Sequence, residues 1–224
     1  MKKYWTLAIA ALVIASMACS VASLTGNKAT ALPSTVLFAD DFSDTGSGWD
    51  TVNGADGITD YKDGAYDIQV NTIGDKGNGM DMWANPGQNF TGDVRVEVDV
   101  TKLGGPDNND IGVICRYNKD SDNYNFYYFL ISSDGFVGIA KMVDSSSTMI
   151  SGDQMESSDT VKSTGVNHIR ADCIGHNLTL YVNGKKAASA TDSTFTSGDV
   201  GLLAGTFDTP GTDVKFDNFM VTKP

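Results

Sequence analysis

The chain has 224 residues, 41% of them hydrophobic, and sets 16 Lys and Arg against 28 Asp and Glu for a formal charge of −12. A chain this acidic repels phosphate backbones, and no basic stripe interrupts it, which argues against nucleic acid as a partner. Only Glu97 and Glu156 are glutamates; the remaining acids are aspartates concentrated in turns, where they serve solubility and local hydrogen bonding or supply oxygen ligands for calcium.

At the N-terminus, Lys2 and Lys3 precede an apolar run over residues 7–18 that is too short to span a bilayer and ends in small residues. Residues 1–18 therefore read as an export signal. Ser16-Met17-Ala18 before Cys19 suits a signal peptidase, and it also resembles a bacterial lipobox, with Ser16 where that pattern usually has Leu. Three cysteines in an exported chain allow Cys115 and Cys173 to pair across strands, which leaves Cys19 for an acyl anchor at the cell surface. The alternative is that Cys19 is removed with the leader. Cleavage takes away Lys2 and Lys3, leaving 14 basic residues against 28 acidic ones and a charge of −14.

Residues 19–35 are small and polar, as a tether should be, and residues 36–224 suffice for one substantial domain. Period-two alternation places strands over residues 36–42, 65–70, 79–83, 93–101, 111–118 and 125–132, and then over 136–143, 167–174, 178–182, 187–193, 200–205 and 214–222. Turns at Lys62-Asp63-Gly64, Ser133-Asp134-Gly135 and Val182-Asn183-Gly184 supply the positive φ that hairpins need. No window supports a long amphipathic helix. The expected fold is an all-β antiparallel β-sandwich of the jelly-roll kind.

Five segments carry a family resemblance: LFADDFSDTGSGW, IGVICRYN, NFYYFLISSDGFVGIAK, NHIRADCIGHNLTLYVNG and DVKFDNFMVTKP. Together they resemble the concanavalin A-like lectin/glucanase jelly rolls, and within them the laminin-G-like and 3-keto-disaccharide hydrolase domains of bacterial exported proteins. That resemblance implies a two-sheet sandwich but no single activity, since the architecture hosts lectins, adhesion modules, glucanases and lyases. Laminarinase-type members carry Glu-x-Asp-x-x-Glu on one strand. Here Glu97 and Asp99 keep the first two acids and Lys102 replaces the third, so the pair of carboxyl groups a retaining mechanism needs is incomplete. Arg95, Glu97 and Asp99 alternate with valines, which predicts the solvent face of a half-buried strand.

In the aromatic run, Tyr124, Phe126, Tyr128 and Leu130 share one face, and Asn125, Tyr127, Phe129 and Ile131 the other. With Cys115 and Cys173 inward, alternation sends Arg116 outward on one strand and His168, Arg170 and Asp172 outward on another. If these outer faces adjoin, Arg116, Arg170, Asp172, Tyr124 and Tyr128 form a carbohydrate-binding patch, with Trp83 and Trp49 as further stacking residues. The alternative is an inert ion pair on a solvated sheet. No catalytic residue is assigned, and His168 and His176 are expected at the surface, not on zinc. Pairing of the terminal strands would bring Asp40 and Asp41 near Asp217 and Asn218, a position where related carbohydrate-binding jelly rolls often hold a structural calcium. Asp107-Asn108-Asn109-Asp110 and Asp120-Ser121-Asp122 are rival calcium loops.

Overall fold

The computed structural model describes residues 35–75 and 79–224; the leader, Cys19 and most of the tether lie outside the described residues. In chain order the strands are β1 (Val36–Asp40), β2 (Val52–Asn53), β3 (Gly57–Lys62), β4 (Ala65–Val70), β5 (Met80–Ala84), β6 (Val94–Gly104), β7 (Asp110–Asp120) and β8 (Asn123–Ser132). They continue with β9 (Phe136–Val143), β10 (Ser146–Met149), β11 (Glu156–Ser157), β12 (Val166–Ile174), β13 (Asn177–Val182), β14 (Lys185–Thr191), β15 (Asp199–Thr206) and β16 (Thr212–Thr222).

Two sheets form the sandwich. Sheet A runs β14-β13-β12-β6-β16-β4-β3-β2, with β1 on the far end of β16; sheet B runs β10-β9-β8-β7-β15-β5, with β11 added to β9. Among the described residues every pairing between strands is antiparallel, as alternating polar and apolar positions predict. The three predicted Gly turns close β3–β4, β8–β9 and β13–β14. At Asp63-Gly64 and Asn183-Gly184 both residues take positive φ, as a two-residue hairpin with the sheet's own twist requires. Four strands escaped the sequence reading. β2, β10 and β11 are short and exposed, and β3 is masked by its Gly, Thr and Asp content.

The core lies between the sheets. β6 shows how alternation builds it: Val94, Val96, Val98 and Val100 are buried while Arg95, Glu97 and Asp99 are only partly so. Facing them from sheet B are Ile111, Val113, Cys115, Tyr127, Phe129 and Ile131. Burying such side chains contributes about 1.5–3 kcal/mol each. The disulfide Cys115–Cys173 joins β7 to β12, so it staples one sheet to the other, with 6.9 Å between the Cα atoms. Phe42, Trp49, Tyr61 and Tyr66 cap one end, with Trp49 and Phe219 edge to face at 4.8 Å.

Candidate functional site

A second, smaller apolar cluster lies on the outside of sheet B: Ile114, Phe126, Tyr128, Leu130, Ala140, Met142 and Leu203, flanked by half-buried Trp83, Tyr117 and Tyr124. Sheet B is thus apolar on both faces, unlike sheet A, whose outer face is charged. An apolar outer face on an antiparallel sheet departs from the in-out rule, and here Trp83, Tyr117, Tyr124, Met149 and Met155 pack over it and bury it. Trp83 meets Tyr124 edge-on at 4.9 Å, and Tyr117 stacks near Tyr124 at 6.4 Å.

The same face deepens toward the far ends of β5, β7 and β8 into a groove of about 470 Å³. Its walls include Phe136, Phe207 and Met155, and its floor holds Asp81, Asp110 and Tyr128. Phe207 is 58% exposed and Phe136 37%, large values for phenylalanines. Asp81 pairs with Gly205 on β15, and Asp110 immediately precedes Ile111, which pairs with Ala204 on the same strand. The two acids therefore flank β15 from opposite sides at one level. A β-carbon at Gly205 would overlap Asp81 Oδ1, so glycine is what lets that carboxylate lean across the strand. Burial pushes Asp81 up to about 6. Burial, and then the charges of Asp81 and Asp134, push Asp110 up to about 7. Tyr128 is likewise held protonated, raised to about 12 by burial, and it shares a hydrogen bond with Ser147.

The five residues expected to form one patch, together with Trp83, separate into three places. Trp83, Tyr124 and Tyr128 lie together on the outer face of sheet B. Arg170 and Asp172 lie on the outer face of sheet A, where Asp172 accepts from Arg95 Nε at 2.8 Å and from Arg170 Nη2 at 3.1 Å. Arg170 also stacks on Tyr181 at 3.8 Å. These charges satisfy one another.

Arg116 is on neither outer face. The β7–β8 register slips after Cys115, and Arg116 adopts φ 58°, so alternation reverses at this bulge. Its guanidinium is buried and donates to the carbonyls of Gly175, Phe195 and Cys173 at 2.9, 2.8 and 3.2 Å. The same slip turns Tyr117 to the outer face beside Tyr124.

The incomplete glucanase acids, Glu97 and Asp99, occupy the outer face of sheet A, where Asp99 Oδ1 lies 2.8 Å from His168 Nδ1. His168 and His176 are both exposed. Trp49 is a core residue that donates its indole N–H to Asp40 at 2.9 Å, so it offers no stacking surface.

β1 does pair with β16, as expected of the chain ends. The acids there nevertheless diverge. Asp40 points into the sandwich and accepts from Phe42 N, Ser47 Oγ and Trp49 Nε1, Asp41 holds Ser43, and Asp217 follows buried Phe216 and stands opposite Asp99 in the β16–β6 register. The three carboxylates therefore take separate partners, and no group of three or more His, Cys, Asp or Glu side chains able to hold a metal occurs among the described residues. In the rival loop, Asp107 pairs with Lys102 while Asp110 turns into the groove.

Sequence signals for the missed residues existed. In β5, MDMWA, period two puts Asp81 on the face of Trp83. Asp110 stands two residues before Gly112, on the face of Ile114.

Solved structures share this architecture. Carbohydrate binding module CBM66 from Bacillus subtilis matches with a TM-score of 0.58 at 20% identity, over 79% of this chain and 96% of its own. Bacillus licheniformis β-glucanase matches with a TM-score of 0.61 at 9% identity, over 84% and 98%. The fold is a concanavalin A-like jelly roll. A Bacillus subtilis protein of unknown function with a galectin-like fold shares this jelly roll too, with a TM-score of 0.59 at 12% identity, over 84% and 96%. No protein-family model and no curated protein matches the chain.

Proposed function

We propose that this jelly roll is an exported carbohydrate-binding protein whose ligand lies along the outer face of sheet B. The observation that carries this is the continuity of an aromatic shelf, Trp83, Tyr117 and Tyr124, with an acid-floored groove on one open sheet face. Pyranose C–H faces stack on aromatic rings, and sugar hydroxyls donate to carboxylates; the shelf offers the first and Asp81 and Asp110 the second. Structural neighbours described as a carbohydrate binding module and a β-glucanase support the assignment. The disulfide supports an oxidising compartment, with Cys19 as the proposed lipid anchor at the cell surface. A glycan array probed with the protein and with Trp83→Ala tests this. Binding that depends on Trp83 is expected, and a blank array would sink the proposal.

One observation favours a second reading, cleavage of a glycoside or 3-keto-glycoside. A groove holding two carboxyl groups, one raised to about 7, has the makings of a general acid. Release of reducing sugar that Asp110→Asn abolishes would establish it. Its absence across the ligands bound on the array would leave binding as the whole activity.

A further inference from the structure

The groove on sheet B has a chemical bias that selects among saccharides. Three aspartates, Asp81, Asp110 and Asp134, line it, and no lysine or arginine does among the described residues. Its walls carry the aromatic rings of Phe136 and Phe207, and Tyr128 lines the floor beside the acids. Asp134 is exposed at the mouth, where its backbone N–H is tied to Asp107 O at 3.0 Å. Asp81 and Asp110 sit deeper, and no hydrogen bond contributes to the shift of either group. Uronates, sulfated sugars and other anionic glycans meet like charge here at every turn, on a protein that is already strongly acidic. An ammonium group meets the opposite. It would lie between two carboxylates that now repel each other, with aromatic faces to hold the cation and the ring that bears it.

We infer that the Asp81–Asp110 end of the groove is a subsite for an amine-bearing saccharide, a sugar with a free ammonium group. This rests on the carbohydrate reading above and sharpens it. Gly205 belongs to the design, because it leaves the space in which Asp81 leans toward Asp110. The aromatic shelf at Trp83 and Tyr124 would accept neighbouring sugar units whatever their charge. Affinity is therefore divided: stacking along the shelf, and charge at the acid pair.

The test is calorimetry at about pH 7 with a short glucosamine oligosaccharide and its N-acetylated counterpart, on the wild type and on Asp81→Asn/Asp110→Asn. Charge-assisted hydrogen bonds to a shielded carboxylate predict at least roughly tenfold tighter binding of the free amine. That preference should disappear in the double variant, and it should shrink at about pH 5, where protons occupy both carboxyl groups but the amine stays charged. Thermal unfolding checks that the variant is folded, and relief of the repulsion should leave it at least as stable as the wild type. Equal or tighter binding of the N-acetylated sugar overturns the amine subsite and leaves the saccharide reading intact. A preference that survives in the double variant also overturns it, because the attraction then comes from the protein's overall charge. Binding of neither sugar overturns the subsite, and only a blank glycan array in addition removes carbohydrate binding itself.

Discussion

The carboxylate of Asp81 lies over Gly205, in the space a β-carbon would fill, and across that glycine strand Asp110 is raised by burial first and then by the charges of Asp81 and Asp134. Two acids held this way destabilise the fold when both are ionised, a cost that is tolerated where a ligand or proton relieves it.

A pH optimum of stability on the acid side follows. Asp81 is raised to about 6, Asp110 to about 7, and Asp199 to about 6, the last by burial in spite of hydrogen bonds from Val200 N and Gln88 N. For carboxyls whose folded-state pKa is raised, the protonated form is favoured by folding, so their contribution is full below the unfolded value and is lost as pH rises through about 6 to 7. Asp192 works in the opposite sense. Burial opposes its charge, but hydrogen bonds from Lys141, Thr194 and Tyr127 outweigh it and hold the pKa well below the usual range, so its contribution is lost as pH falls below about 4. Thermal melts should peak at about pH 4, decline between about pH 4 and 7, and be lower by about 5 °C or more at about pH 8. A melting temperature that climbs steadily from pH 5 to pH 8 would contradict these shifts.

Reducing the Cys115–Cys173 bridge should be costly. It closes a span with a sequence separation of 58 residues between the two sheets, for which loop entropy predicts about 4 kcal/mol. Denaturant unfolding of Cys115→Ser/Cys173→Ser against the oxidised wild type measures this, and a loss below about 1 kcal/mol would mean that the staple contributes little.

Arg116 should behave as a structural residue. Its guanidinium feeds three carbonyl oxygens from inside the protein, and truncation leaves them unpaired. Arg116→Ala should lower stability by about 3 kcal/mol while saccharide affinity of the folded fraction stays within roughly twofold. A large loss of affinity at unchanged stability would place it in the site after all.

On the shelf, Trp83→Ala and Tyr124→Ala should each weaken saccharide binding roughly tenfold. Because the two rings touch at 4.9 Å, the double variant should lose less than the product of the singles. Tyr181→Ala and His168→Ala, on the outer face of sheet A, should leave binding unchanged.

Alternation made the architecture legible. The valines of β6 and the inward residues of β12 and β7 up to Cys115 fall where period two puts them, and the cysteines pair because both face the core. The site was only half legible. Trp83, Tyr124 and Tyr128 are local to their strands, but what joins them to Asp81 and Asp110 is the order β5-β15-β7, which no short segment encodes. Arg116 was misplaced because a bulge reverses the face mid-strand, and nothing in IGVICRYN signals it. Arg170 and Asp172 face outward as alternation requires, yet on the other sheet, since facing outward does not say which sheet a strand joins.

The central claim is that saccharide binds the outer face of sheet B, and chemical-shift mapping tests it most directly. Titrating an array-identified oligosaccharide into labelled protein should shift the Trp83 indole N–H and the amides around Tyr124, Asp110 and Gly205, and leave those of Arg170, Asp172 and Tyr181 still. Shifts confined to Arg170, Asp172 and Tyr181 would contradict it.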